Sequence, residues 1–244
     1  MYYYILDLGN KNVTKIKEKM EVMMASYGIS GDFGKVSPLA SAYQLAKKAV
    51  EEGYSTIVAV GNTEIINQTA AALINTKSAM GIVPIEADRS ICTLIGGDNY
   101  REALGILRMR KIQTIDVGRV GENYFLTETF LSFPQPVPVV LDFGQFRLGG
   151  EFQKVVISNG NETKQSFLDG LLTIKIDQPE KRGFLGRFFQ KSLPSSLLFQ
   201  KKVTIETEKE APLYVDREVV AKTPCQIKII PLALQLVVSR LHSS

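Results

Sequence analysis

Histidine and cysteine, which supply much of enzyme chemistry, are almost missing from this chain of 244 residues. The single histidine, His242, lies near the end, which nearly excludes Ser-His-Asp and Cys-His catalysis and histidine-rich metal sites. The two cysteines, Cys92 and Cys225, are far apart in apolar sequence, so we expect small buried side chains and no disulfide framework. Carboxylates, amides and backbone groups remain as the candidates for chemistry.

Long apolar runs are also missing. No stretch of about 18 uncharged apolar residues is present, so the sequence predicts no membrane-spanning helix. The start, Met1 to Asp7, has neither the basic region nor the long apolar region of a signal peptide, which favours a cytoplasmic protein. With 45% hydrophobic and 22% charged residues, the composition is typical of a globular protein that buries a core.

Positive charge is concentrated in one segment. Residues 181–202 contain six basic residues and no acidic one, whereas the whole chain has a net charge of +4, so the chain is not a general nucleic-acid binder. Basic and aromatic side chains interleave there, which predicts either a helix on the inner membrane face or a helix that caps a sheet. Pro194 leaves room for only about two turns, which favours capping. The candidate lipid contacts are Arg182, Phe184, Arg187, Phe188 and Lys191.

Residues 1–117 alternate between apolar strands and amphipathic helices. The predicted strands are 2–7, 56–60 and 80–85, and the predicted helices are 13–27, 40–52, 65–73 and 99–109. This order is typical of an open, mostly parallel sheet with helices on both faces, which binds ligands at the carboxyl ends of its strands.

The sequence changes character after residue 117. Short β-rich runs follow turn signals such as Asn159-Gly160, and they lie at 124–130, 137–141, 154–158, 171–176, 202–207 and 212–215. This pattern predicts an all-β domain, for which a sandwich is the expected arrangement. Residues 226–244 are strongly apolar, and we expect this segment to return to the first domain as a strand.

The segment after the predicted central strand carries the clearest binding signal. Val58–Leu73 is expected to form a strand, a tight turn and a helix, whose free N–H groups and dipole make a natural phosphate cradle. An ordinary βα turn has the same pattern, and only one glycine, Gly61, is present. On these residues alone, both interpretations stay open.

Several partial motifs resemble the diacylglycerol-kinase-like family of lipid kinases. Gly61 falls on the first glycine of the family's Gly-Gly-Asp-Gly-Thr loop, and Asn67 falls on the asparagine that follows it in the helix. Gly81-Ile-Val-Pro84 resembles the next strand of the family, and further matches lie at 111–118, 123–126, 167–172, 212–218 and 231–234. No single motif is intact, and their order and spacing carry the resemblance.

The resemblance implies a fold, domain boundaries and the place of the site. It predicts an N-terminal α/β domain at 1–117, with a doubly wound, mostly parallel sheet of the NAD kinase and diacylglycerol kinase type. A C-terminal all-β sandwich domain is expected at 118–225, and a segment at 226–244 is expected to return to the first domain. The ligand site would lie in the cleft between the two domains.

The implied nucleotide-binding residues are Gly61, Asn62, Thr63, Glu64 and Asn67, and two of them depart from the family pattern. Asn62 and Glu64 replace glycines, so side chains stand where the backbone would approach phosphates. At about 4 Å, the Glu64 carboxylate would repel a phosphate charge by roughly 4 kcal/mol before screening. Because asparagine tolerates left-handed backbone, we expect the bend itself to survive.

Two further sets of residues follow from the resemblance. Where the family has Gly-Thr-Gly-Asn-Asp, this chain has a different loop, whose candidate substrate-binding residues are Glu86, Asp88, Arg89 and Ser90. A general base and a neighbouring carboxylate are implied at Asp216 and Glu218. As alternate residues of one strand they would share a side. The alternative is a pair of solvated carboxylates.

The altered loops predict a degenerate lipid-kinase homologue that binds nucleotide, lipid or both, with impaired phosphoryl transfer. The alternative is an active ATP-dependent kinase that phosphorylates a diacylglycerol-like hydroxyl and uses ATP and Mg²⁺ as cofactors. A lipid or membrane surface is the expected partner in either case. A protein-interaction module that uses only the β domain has little support.

Overall fold

The computed structural model describes residues 1–160, 167–177, 196–215 and 218–239. The chain divides into two compact units. Unit 1 comprises Met1–Val117, Tyr124–Thr127 and the chain from Pro231 onward, and unit 2 comprises Gly118–Asn123 and Glu128–Ile230. Because the boundary falls at Pro231, the end of the chain contributes to both units.

Unit 1 contains a mostly parallel sheet with five helices among the described residues. The elements in chain order are β1 (Tyr2–Leu6), α1 (Lys11–Tyr27), β2 (Gly31–Lys35), α2 (Ala42–Glu51), β3 (Thr56–Gly61), α3 (Thr63–Leu73), β4 (Ala79–Pro84), α4 (Arg89–Ile95), α5 (Tyr100–Met109) and β5 (Lys111–Val120). The strand order is β4-β3-β1-β2, and all these neighbours pair in parallel. The last strand of the chain, β14 (Cys225–Val238), lies beside β4 in parallel, where Leu236 pairs with Met80.

The sheet of unit 1 is covered on both faces. Every residue of β3 and of β4 is buried, as expected for strands between two helical layers. α1 packs against α5, and α2 packs against α3. Gly81 allows α5 to approach β4 closely, because a Cβ atom at this position would lie 2.5 Å from Leu107 Cδ2.

Unit 2 is antiparallel. Its strands are β6 (Asn123–Phe125, at the boundary), β7 (Glu128–Asp142), β8 (Arg147–Asn159), β9 (Leu172–Asp177), β10 (Ser196–Gln200), β11 (Lys202–Thr207), β12 (Pro212–Val215) and β13 (Glu218–Lys222). The order is β10-β9-β8-β7-β11-β14, and a β12–β13 pair joins β7 through Tyr214 and Phe130. The core face includes Leu131, Val155, Ile157 and Ile174, all fully buried.

The predicted fold class is confirmed: a mostly parallel α/β sheet is followed by an antiparallel β region. Three elements of unit 1, β2, α4 and β5, were not predicted. The two glycines of β2 and the seven-residue length of α4 explain the first two omissions, because neither gives a clear hydrophobic period. Among the described residues, no helix is long and apolar enough to cross a membrane.

The cysteines differ from the expectation in one respect. Both are free, as predicted, but each is half-buried rather than fully buried. Burial still raises the pKa of the Cys225 thiol to about 11, and burial is also the main cause of the raised pKa of Cys92.

Candidate functional site: the carboxyl edge of the parallel sheet

The strands β4, β3 and β1 end at the same level. Leu6 pairs with Val60, and Val60 pairs with Val83, so the loops that follow these strands emerge side by side. The connections that leave the neighbouring strands β1 and β3 run in opposite directions along the sheet, because β1 is followed by β2 on one side and β3 by β4 on the other. Such a switch point is where open α/β sheets bind ligands. We call this region the carboxyl edge.

The turn after β3 passes directly into a capped helix. Asn62 is the N-cap of α3, and its Oδ1 atom accepts a hydrogen bond of 3.1 Å from the backbone N–H of Ile65. Its φ of −78° and ψ of 179° are extended, so the expected bend is present but without left-handed backbone at this residue. The chain bends because Asn62 adopts ordinary N-cap geometry, for which asparagine is one of the preferred residues.

The next two residues of this turn have their side chains engaged. Thr63 is buried, and its hydroxyl oxygen accepts a hydrogen bond of 2.9 Å from the backbone N–H of Asp88. Glu64 is half-buried in the first turn of α3, and its Oε1 atom accepts a hydrogen bond of 2.9 Å from Gln68 Nε2. A carboxylate in a first turn stabilises the helix dipole, and it also disfavours a bound anion there.

Asn67 lies one turn further along α3, and its described contact is structural. Its Oδ1 atom accepts a hydrogen bond of 3.2 Å from the backbone N–H of Leu126. Leu126 belongs to the short Tyr124–Thr127 segment of unit 1, so this bond connects that segment to α3. The amide oxygen of Asn67 is thereby occupied within unit 1.

The candidate substrate loop divides into two parts with different contacts. The Glu86 carboxylate accepts hydrogen bonds from Asn10 Nδ2 at 2.8 Å and from Asn12 Nδ2 at 2.7 Å. Ser90 instead donates to Thr127 Oγ1 at 3.1 Å. The remaining two candidates, Asp88 and Arg89, are the N-cap and the first residue of α4, and the N-cap makes no side-chain capping bond.

The loop after β1 was not predicted to belong to the site. Asp7 accepts a hydrogen bond from the backbone N–H of Gly9 through Oδ1, and Asn10 caps α1 by accepting one from the N–H of Asn12. The signal was present in the sequence, because an aspartate and a capping asparagine directly follow the first strand. This loop adds Asp7, Asn10 and Asn12 to the carboxyl edge.

The implied catalytic pair is described only in part. Asp216 lies outside the described residues, and Glu218 is exposed at the start of β13. Val215, the last residue of β12, pairs in antiparallel with Glu218, the first residue of β13, so Glu218 lies on the strand that follows β12. The candidate lipid contacts Arg182, Phe184, Arg187, Phe188 and Lys191 also lie outside the described residues.

Three carboxylates at the carboxyl edge, those of Asp7, Glu64 and Glu86, accept hydrogen bonds from groups of the same unit. Within the described parts of the chain, no three histidine, cysteine, aspartate or glutamate side chains come together as a metal site. The buried carboxylate of Asp116 lies elsewhere in unit 1 and accepts a hydrogen bond of 2.8 Å from the backbone N–H of Leu232. The edge is therefore better equipped to hold its own loops together than to bind an anion.

Solved structures with the same fold come from Bacillus anthracis strain Sterne. A crystal structure described as a diacylglycerol kinase has a TM-score of 0.80 at 16% identity, over 98% of this chain and 97% of that one. Another, provisionally described in the same way, has a TM-score of 0.82 at 14% identity, over 98% of both chains. At such identities these matches show the fold alone.

The sequence itself matches one family. A model of the family described as "Diacylglycerol kinase catalytic domain" matches residues 7–120, which include β3, the carboxyl edge and both altered loops. A search of curated proteins gives no match. Residues 7–120 thus resemble the diacylglycerol kinase catalytic domain in sequence, and over nearly its whole length the chain has the fold of solved structures described as diacylglycerol kinases.

Proposed function

We propose that this chain is a diacylglycerol-kinase-like protein with weakened nucleotide binding and impaired phosphoryl transfer. The observation that supports the proposal is the turn after β3, where Asn62 takes up the N–H of Ile65 and Glu64 adds a carboxylate to the first turn. Phosphoryl transfer depends on positioning and on neutralising phosphate charge. The Glu64 carboxylate at this turn repels phosphate charge, and the N–H of Ile65 is already bonded to Asn62 and so does not position a phosphate group.

The fit of ATP and Mg²⁺ to the carboxyl edge is poor. A triphosphate needs backbone N–H groups and cations. Three carboxylates at the edge, Asp7, Glu64 and Glu86, act as acceptors, and the basic residues there are Lys11 and Arg89, the first residues of α1 and α4. A carboxylate can face a phosphate only when a metal ion lies between them, and the edge offers no cluster of three metal-binding side chains among the described residues. We therefore derive no catalytic step through ATP or Mg²⁺.

Isothermal titration with ATP and Mg²⁺ tests this proposal. We expect a dissociation constant no tighter than about 1 mM, which corresponds to roughly −4 kcal/mol. The double variant Asn62→Gly, Glu64→Gly should bind ATP more tightly, because it removes the competing cap and the like charge. Glu51→Gln, which removes an exposed carboxylate from α2, is the matched control and should leave the affinity unchanged.

Low-micromolar affinity of the unmodified protein for ATP would contradict the proposal and support an active lipid kinase. That second candidate is favoured by one observation, the agreement of fold over 98% of the chain with a structure described as a diacylglycerol kinase. Transfer of labelled phosphate from ATP to diacylglycerol in mixed vesicles, lost in Asp216→Asn, would establish it. We expect the protein and this variant to give the same background signal.

A further inference from the structure

Glu86 connects the two strands that flank β3. It lies two residues beyond the end of β4, whereas its partners Asn10 and Asn12 follow β1. Because β3 lies between β4 and β1 in the sheet, the hydrogen bonds that Glu86 accepts from the two asparagines connect loops on either side of β3. Two strand spacings are about 9.6 Å, a gap that one glutamate and one asparagine side chain can bridge together. We call this arrangement the Glu86 strap.

The backbone shows that the strap is held in a specific conformation. Glu86 has a φ of 57°, in the left-handed region that a residue with a side chain rarely adopts. Both carboxylate oxygens are used, one for each asparagine amide. A strained backbone persists only where surrounding contacts compensate, and these two bonds are the described contacts that the Glu86 side chain makes.

The loop that carries Glu86 is also bonded to the turn after β3. The N–H of Ile85 donates to the Gly61 carbonyl oxygen at 2.9 Å, and the N–H of Asp88 donates to Thr63 Oγ1. These bonds lie on either side of Glu86 in sequence and hold the loop down at the end of β3. They therefore keep the Glu86 carboxylate close to the turn that resembles the phosphate loop of the family.

We propose that the Glu86 strap is an autoinhibitory contact, in which an internal carboxylate keeps phosphate groups away from the end of β3. A ligand that carries phosphate must displace Glu86 from both asparagines and overcome its charge. A neutral ligand at the edge meets no such barrier. This inference rests on the proposed function and names the residue that regulates access to the same turn.

Titration of the whole chain with inorganic tripolyphosphate tests the strap. Glu86→Gln removes the charge while keeping the side-chain size, and Glu86→Gly removes the strap and suits the left-handed backbone. We expect both variants to bind tripolyphosphate at least about tenfold more tightly than the unmodified protein, because one like charge is removed from the turn. Glu51→Gln, the same charge change on α2, should bind as the unmodified protein does.

Thermal unfolding of each variant accompanies the titration, so that a binding change is compared only between folded proteins. Equal tripolyphosphate affinity in the unmodified protein, Glu86→Gln and Glu86→Gly, with all three folded, would overturn the strap. An equal gain in Glu51→Gln would overturn it as well, since the effect would then be general charge. The proposed function fails separately, through tight ATP binding by the unmodified protein, so the two failures are distinguishable.

Discussion

Asn62 and Leu232 each make one hydrogen bond that holds the local backbone. Asparagine tolerates left-handed backbone and is also a preferred N-cap residue. In this chain the side chain of Asn62 accepts a hydrogen bond from the N–H of Ile65, and Asn62 is therefore an N-cap. Leu232 has a φ of 47° and is 61% exposed, although it lies in an apolar segment that was expected to pack on the first domain as a strand. Its N–H donates to Asp116, a partner 116 residues away that no local pattern reveals.

Cys225 is a free, half-buried thiol whose reactivity depends on pH. Burial raises its pKa to about 11, so the neutral thiol predominates in the folded protein at neutral pH. The raised pKa favours folding fully below the usual thiol range, and this contribution is lost as the pH rises towards 11. In a Cys92→Ser protein, alkylation by iodoacetamide at pH 8 should be much slower than in the urea-unfolded control. Equal rates in the folded and unfolded protein would contradict the assignment.

At the scale of elements, the sequence predicts helices and parallel strands well because their periods are local. α1 ends at Gly28 and α2 begins at Ser41 with a full capping box, both as the residue types indicate. The antiparallel strands were less well bounded. Two expected strands contribute to the single long β7, whose pairing with β8 shifts between Ser132 and Val137, and a register shift leaves no mark in composition.

The hairpin of β12 and β13 depends on contacts that are distant in sequence. A run from Pro212 to Glu218 has the β-rich composition of one strand, yet Val215 at the end of β12 pairs with Glu218 at the start of β13. The choice between one strand and a hairpin depends on the partner β7, which Tyr214 joins. Proximity of the two implied catalytic carboxylates therefore remains a prediction of the family resemblance alone.

The basic segment at 181–202 can be tested for binding to anionic membranes. If it contacts a membrane, vesicles with anionic lipid should retain the protein at low salt and release it at high salt. The double reversal Arg187→Glu, Lys191→Glu should abolish retention in a sedimentation measurement. The matched control, Lys15→Glu with Lys47→Glu, reverses two exposed lysines on α1 and α2 and should weaken retention far less. Equal retention on neutral vesicles would argue for the capping role.

For the whole molecule, β14 is the element on which folding most depends. It contributes buried side chains at both ends, namely Ile227, Ile229, Ala233, Leu234, Leu236, Val237 and Val238. Each large apolar side chain contributes up to about 1.5–3 kcal/mol, so five of them compare with the net stability of a domain. The sequence predicted that this strand is packed. Ile227 and Ile229 are buried in alternation, but beyond Pro231 the alternation ends, and neighbouring residues such as Ala233 and Leu234 are both buried.

Removal of everything after Lys222 should therefore give insoluble or loosely packed protein. Urea unfolding followed by circular dichroism measures the effect, and a chain that ends at Ser239 is the control that keeps all of β14. A chain ending at Lys222 that stays monomeric and unfolds cooperatively would show that β14 is an appendage. We expect cooperative unfolding only in the control.

The position of β14 beside β4 also has a consequence for synthesis of the chain. The buried strand β4 is made early, but its neighbour at Leu236 emerges from the ribosome roughly 150 residues later, about 8–30 s at ordinary rates of translation. During that interval β4 is an apolar edge with unpaired backbone groups. The nascent chain is then most prone to wrong strand pairing, and faster translation of its last third would shorten the exposure.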